Sequence, residues 1–273
     1  MPELDSIRAE MKGPNTVDSL CGDLRRFGIT EGMTVLLHSS LSAIGWVCGG
    51  AVGVILAVEK ALGESGTLVM PAFSGGLSEP CNWRCPPVPE AWHEIIRAQM
   101  PPFDRDLTPV GREIGVIAET FRKQSGVVRS GHPSASFAAW GRHKTFVTEG
   151  PAGPDFPFGE NGPLARLYEL DARVLLLGVG YDRCTSLHLA ECRADYRGKL
   201  IISEGAPMIE NGSRVWREYK DVALRGDDFD AIGKAFETER ALSLAKVGLA
   251  DARLIPQREL VDYAVKWMEV NRS

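Results

Sequence analysis

The stretch RVLLLGVGYDRCTSLHLAE (173–191) decides how this chain is read. Val174 to Leu177 is an uninterrupted apolar run of strand length, the pattern of a buried strand. Gly178 and Gly180 break it, and a helix is predicted to start near Thr185. Positions three apart lie on one helical face, so that helix would present His188 and Glu191 together. A base and a carboxylate at a strand end, beside glycine-loosened backbone, are placed for chemistry. The chain reads as an enzyme rather than a scaffold.

Working outward, a similar order occurs upstream. Met33 to Leu37 reads as a buried strand leading into His38, Ser39 and Ser40. Gly49 and Gly50 precede an apolar helix from about Ala51 to Leu62. A second strand, Thr67 to Pro71, delivers Ala72, Phe73 and Ser74. Strand, loop, helix and strand in this order make a βαβ unit and an α/β fold, although an apolar run cannot fix strand direction. Residues 1–15 read as a loose leader, and a helix is expected from about Thr16 to Phe27. Further helices are expected over Glu90 to Gln99, Gly111 to Lys123, Leu164 to Leu170, Phe229 to Lys246 (broken or frayed near Leu244) and Gln257 to Glu269. Residues 200–220 resemble a polar hairpin. With no repeat or long linker, 1–273 reads as one domain with loop elaborations around 75–108 and 142–163.

The 273 residues, 44% hydrophobic and 25% charged, suit a globular protein with a sizeable core. The formal charge of −5 argues against nucleic acid, which wants concentrated Lys and Arg, and suits a cationic small substrate. No apolar run reaches transmembrane length, and no basic-then-apolar leader opens the chain, so neither a membrane nor export is expected. The six scattered cysteines fit free thiols in a reducing cytoplasm. Cys81 and Cys85 form a CNWRC spacing, and Cys184 and Cys192 bracket His188. The first has no second Cys/His pair nearby, and for the second a metal triad competes with ordinary core cysteines, which Leu187 and Leu189 beside them favour, so no metal is assigned.

His188 can act as a neutral imidazole base toward an amine, with Glu191 orienting the ring or meeting a cation; a polar helix residue satisfied at the surface has the same signature. His132 precedes Pro133, which biases it to extended backbone in a tight loop, either at a site or at a surface turn. His38, Ser39 and Ser40 at a strand end can set hydroxyls and amides around a phosphate or a carbonyl oxygen, aided by the helix N-terminus after Gly49 and Gly50. Phosphate-loop, dinucleotide and nucleophile-elbow patterns are all missing, though Ser39, His132 and an acid can still meet in space as a triad. Asp104, Asp106, Asp155, Glu160 and Glu191 can converge on a polyamine or can simply solvate loops. Trp46, Phe73, Trp83 and Phe103 suit a stacking surface or the core.

Several blocks resemble the aminoglycoside 3-N-acetyltransferase family: LLHSSLSAIG (36–45), GTLVMPAFSG (66–75), MPPFDRDLTPVGREIG (100–115), RSGHPSASFAAWG (129–141), FGENGPLARLYELDARVLLLGVG (158–180) and TSLHLAE (185–191). The resemblance covers most of residues 17–270 in order. It implies a three-layer α/β/α fold distinct from the GNAT fold, and acetyl transfer from acetyl-CoA to the 3-amino group of a 2-deoxystreptamine aminoglycoside. It further implies His188 as general base and His132 near the thioester end. His38, Ser39, Ser40, Met70, Pro71, Ala72, Phe73 and Ser134 fall near the cofactor, and Asp104, Asp155, Glu160 and Glu191 near the cationic substrate. Glu191, Glu218 and Asp221 are the candidate acidic partners of the base, the last two from the block WREYKD (216–221). An oligomer is compatible with this reading. The chain departs from many relatives at Tyr181-Asp182-Arg183-Cys184, which bears on acceptor range. The alternatives are an acyl-CoA N-acyltransferase acting on another amine and a non-catalytic protein that sequesters cationic drugs.

Overall fold

Thr16 opens the first helix of the structure, Val17–Phe27 (α1). Its hydroxyl accepts the Ser19 amide while the Ser19 hydroxyl accepts the Thr16 amide, a reciprocal cap worth about 1 kcal/mol. The structure, a computed structural model, describes residues 13–84, 86–150, 153–242 and 244–272. Most of the expected leader, and Cys85 of the CNWRC loop, lie outside the described residues.

Strand Thr34–Ser39 (β1), the short turn of helix Leu41–Ile44 (α2), helix Gly50–Leu62 (α3) and strand Thr67–Pro71 (β2) form the expected βαβ unit. Its direction is settled by pairing: β1 and β2 are parallel, with Thr34 opposite Thr67 and Leu36 opposite Val69. There follow His93–Gln99 (α4), Val116–Arg122 (α5), Val128–Arg129 (β3), Phe137–Gly141 (β4), Lys144–Thr148 (α6), Pro163–Glu169 (α7), Arg173–Leu177 (β5) and Ser186–Arg193 (α8). Ile201–Glu210 (β6) and Ser213–Val222 (β7) come next, then Phe229–Arg240 (α9), Leu244–Val247 (β8), Ala250–Pro256 (β9) and Gln257–Asn271 (α10).

The main sheet runs β3-β4-β2-β1-β5-β9-β8, while β6 and β7 form a separate two-stranded ribbon. Strands β2, β1 and β5 are parallel at its centre, and antiparallel strands flank them on both sides. Strand alternation divides the core in two. Leu36, Val69, Val174 and Leu176 face one layer, packed with Leu164 and Leu167 of α7, Leu187 and Ala190 of α8, Phe236 of α9 and Leu260 and Ala264 of α10. Val35, Leu37, Leu68 and Leu175 face the other, against Leu20 and Leu24 of α1, Val54 and Val58 of α3 and Phe121 of α5. Helices on both faces of one sheet make the three-layer α/β/α architecture.

Three elements differ from the sequence reading. The helix expected over Gly111 to Lys123 is split: a tight turn over Arg112–Ile114 ends at Gly115, whose φ of 93° interrupts the run before α5. The helix expected to reach Lys246 stops at Arg240, because Ala241 turns left-handed (φ 49°), and the chain re-enters the sheet as β8 and β9. The small-residue run FAAWG, given no secondary structure in the sequence reading, is strand β4, hydrogen-bonded along its length to β2. Residues 142–163 hold α6 as well as loop. Among the described residues no helix is long and apolar enough to cross a membrane.

Candidate active site

The central strands end side by side, and their last residues set the site. Ser39 of β1 pairs with Leu177 of β5, and Pro71 of β2 ends on the other side of β1. Gly178 then has to turn with φ 70°, and a Cβ there would overlap Ala43, so no other residue lets β5 leave the sheet against the β1–α2 turn. Beyond these ends lies a cavity of about 880 Å³, the size of a cofactor or drug site. It is lined by residues 37–42, by Gly50 at the start of α3, by Met70, Pro71 and Phe73, by 113–118, and by 179 with 182–185, His188 and Phe229.

His188 lies at one end of the site, its side chain 20% exposed. The Phe158 and Phe229 rings flank it, with centroids 5.1 and 4.9 Å away. Its Nδ1–H donates to Glu191 Oε2 at 2.6 Å, since an ionised carboxylate can only accept. The helical i, i+3 spacing of α8 delivers that contact, and in a neutral ring it leaves Nε2 as the nitrogen without a proton. Glu191 is wholly buried, and its other oxygen accepts the Arg225 amide at 2.8 Å and Arg272 Nη1 at 2.7 Å. Glu191 is therefore the carboxylate on His188. Its burial behind the ring removes it from the expected substrate contacts.

His38 Nε2 and Thr185 Oγ1 are 3.3 Å apart on the cavity wall. Burial, helped by the nearby His188, pushes the His38 imidazole down to about 3, so it is neutral at ordinary pH. The Ser40 amide is already donated to the Leu177 carbonyl at 3.0 Å, which excludes it as an oxyanion donor; its hydroxyl lies 3.1 Å from that of Ser42. Gly50 brings the N-terminus of the 13-residue α3 to the cavity with no side chain capping its amides, a place for a phosphate oxygen.

The other expected site residues fall elsewhere. His132 does not line the cavity. Its Nδ1 accepts the Ala135 amide at 3.0 Å, so Nε2–H donates to the Pro154 carbonyl at 3.1 Å. Both ring nitrogens are thus engaged with backbone, and burial pushes the ring down to about 4 despite the Pro154 bond. Ser134 binds the Tyr219 hydroxyl at 3.2 Å, and Ala72 is fully buried under the loop. Asp104 Oδ1 closes its own turn by accepting the Asp106 and Leu107 amides. Asp155 accepts the Lys220 amide and so fastens its loop to β7. Glu160 is neutralised by a two-bond pair with Arg193, at 2.7 and 3.0 Å. Glu218 is exposed on β7. Asp221 is buried, and burial raises its carboxyl to about 7, partly offset by the Val222 amide and reinforced by the charges of Glu204 and Glu191.

Sequence reasoning missed Thr185, Phe158, Phe229, Glu204 and the Arg272–Asp228 pair. Thr185 alone carried a signal, as the helix-start residue. Glu204 lies opposite Tyr219 on the ribbon and accepts from Asn82 at 2.8 Å, with burial holding its carboxyl above the usual range. Among the departures from the family pattern, Asp182, Arg183 and Cys184 line the cavity and Tyr181 is buried against Gly233.

Known proteins share this fold. The SPbeta prophage-derived aminoglycoside N(3')-acetyltransferase-like protein YokD of Bacillus subtilis (strain 168) is 48% identical over 261 residues, 95% of this chain and 94% of its own. Its crystal structure superposes with a TM-score of 0.92 over 96% of each chain. AAC-IIIb in binary complex with CoASH is 29% identical with a TM-score of 0.84, covering 94% of this chain and 97% of its own. AAC-VIa bound to sisomicin is 27% identical with the same TM-score, covering 94% and 98%. The profile of the aminoglycoside 3-N-acetyltransferase family matches residues 36–269, a span that includes the β1 end, the cavity wall and the His188–Glu191 pair. With its fold and its sequence in agreement, the chain belongs to the aminoglycoside 3-N-acetyltransferase family.

Proposed function

We propose that the protein transfers the acetyl group of acetyl-CoA to the 3-amino group of 2-deoxystreptamine aminoglycosides, as one catalytic domain. The observation that carries this reading is the His188 ring, held by Glu191 with Nε2 unprotonated beside a cavity of about 880 Å³. The residues present fit the cosubstrate. The N-terminus of α3, which no side chain caps, and the Arg183 guanidinium suit phosphates, and Met70, Phe73, Val116 and Ile117 suit the pantetheine arm. Acetyl-CoA supplies an activated thioester carbon. His188 Nε2 accepts the proton released as the amine nitrogen bonds to that carbon, and Glu191 balances the imidazolium. A hydroxyl of Ser39 or Ser40, both on the cavity wall, would steady the oxygen. As the carbon–sulfur bond breaks, His188 can return its proton to the leaving sulfur.

A cationic acceptor is supported by Asp221 and Glu204. Both carboxyls stand on one face of the β6–β7 ribbon, held up by burial, and an arriving ammonium supplies the missing counter-charge. Product mass and thiol release, read together over a panel of aminoglycosides, test the assignment. One acetyl gained per thiol released is expected. Thiol release with acetate and no acetylated drug would point instead to a hydrolase. His188→Ala should lower kcat by about 100- to 10,000-fold while acetyl-CoA still binds; unchanged turnover in that variant overturns the role.

A further inference from the structure

Arg272, directly after α10, turns its side chain into the protein, where only 2% of it is exposed. Nη1 donates to Glu191 Oε1 at 2.7 Å. Nε and Nη2 donate to the two oxygens of Asp228 at 2.8 and 2.7 Å, and Nη2 also reaches the Arg225 carbonyl at 2.9 Å. The Tyr196 ring lies 4.9 Å from the guanidinium carbon. Arg272 stands beyond the last residue matched by the family profile, 269, and nothing in the resemblance pointed to it.

We propose that Arg272 is a positioning residue for acetyl transfer: it holds Glu191 as the carboxylate that fixes the tautomer of His188, and Asp228 tempers the charge it supplies. This rests on the reading of His188 as the base. A carboxyl removed from water with no cation beside it tends to take up a proton. A protonated Glu191 would donate to Nδ1, the ring proton would move to Nε2, and the nitrogen facing the cavity would cease to be a base. Arg272 prevents this with a permanent charge and a planar fork. Burial works against that charge, but the Asp228 and Glu191 carboxylates hold the guanidinium above its ordinary range.

With neutral His188, the Arg272–Glu191–Asp228 cluster carries one net negative charge; once the imidazolium forms, the four groups are neutral together. The cluster therefore favours the proton transfer that attack requires. The remaining neighbours are His38 and Thr185 at the cavity wall, Asp221, Cys192 and Tyr196 around Glu191, and the Phe158 and Phe229 rings. All of these stay in place in the variants below.

The test is the pH profile of kcat/KM for wild type, Arg272→Gln, Arg272→Lys and Asp228→Asn, with thermal unfolding recorded for each. Removing the cation makes the His188–Glu191 pair easier to protonate, so Arg272→Gln should move the acid limb up by about one pH unit. Arg272→Lys keeps the charge and should leave the limb near wild type with a reduced kcat. Asp228→Asn removes an anion and should move the limb down. KM for acetyl-CoA should stay within about twofold, because neither residue lines the cavity. A merely structural role would lower rates without these opposite shifts. Folded variants with unmoved limbs, or Gln and Asn variants shifting the same way, overturn the proposal. Nitrogen-15 shifts of His188 add an arm independent of turnover. The ring proton should sit on Nδ1 in wild type and move to Nε2 in Arg272→Gln; an unchanged ring counts against Arg272. Full turnover in His188→Ala, by contrast, removes the underlying catalytic reading while the nitrogen shifts still report on Arg272.

Discussion

Asp221 illustrates how much a single side chain here owes to its surroundings. Its carboxyl is ordinary at 3.8 and stands at about 7 in the folded protein, chiefly because burial disfavours the charge. The folded state thus keeps a proton that the unfolded chain releases, and stability falls as pH rises from about 4 to about 7. Asp221→Asn should therefore stabilise the ligand-free protein by on the order of 1 kcal/mol at pH 8, about 2–4 °C, and leave it unchanged near pH 4. Denaturation curves at the two pH values check this; a gain of equal size at both would rule out titration as its cause. His188 and Glu191 were readable as a pair because three residues along a helix bring side chains together. His132 was not readable as a loop pin, since its Pro154 partner comes from a loop 22 residues away.

Between elements, buried polar contacts do the joining. Arg129 of β3 reaches the Ala72 and Thr108 carbonyls at 2.5 Å and the Ser74 and Ser136 hydroxyls at 2.7 and 3.0 Å, with its guanidinium over the Phe103 ring. Burial pulls its guanidinium down to about 10, which still leaves it charged at neutral pH. It ties the 103–108 loop to the end of β2, beside the cavity wall. Arg129→Met should cost about 3 kcal/mol in urea unfolding and raise KM for acetyl-CoA, because four or more acceptors lose a charged donor. Unaltered stability in that variant would show that the loop is held by other contacts. A cap made α1 legible, and a glycine pair ahead of a long apolar run made α3 legible. Strands β4, β8 and β9 were not, since Ala-rich or charged segments become strands here only by pairing, β4 with β2, β9 with β5 and β8 with β9.

Over the whole molecule, the formal charge of −5 and the carboxyls of the ribbon favour a polycation over a neutral acceptor. kcat/KM for an aminoglycoside should fall roughly three- to tenfold between about 0.05 and 0.5 M salt, as screening shortens the reach of these charges. Measured at saturating drug, the KM for acetyl-CoA should not share that trend. A flat profile for the drug would argue for an acceptor recognised without its charge. The layers explain where the cavity lies: three parallel strands end together, and the segments that follow them, with the start of α3 and residues 113–118, wall one space.

The sequence alone determined the α/β class, the βαβ unit and the His188–Glu191 spacing, because each depends on residues near one another along the chain. Its blocks also carried the family resemblance, and with it the chemistry. Only the tertiary structure decided strand order and direction, the contacts of Asp155 with the Lys220 amide and of Glu160 with Arg193, and the engagement of both His132 nitrogens with backbone. It alone brought Arg272 to Glu191, 81 residues distant in sequence. The physical reason is common to these cases. A charged or polar side chain acquires its role from what neutralises or desolvates it, and those partners arrive from elsewhere in the chain only when the layers pack.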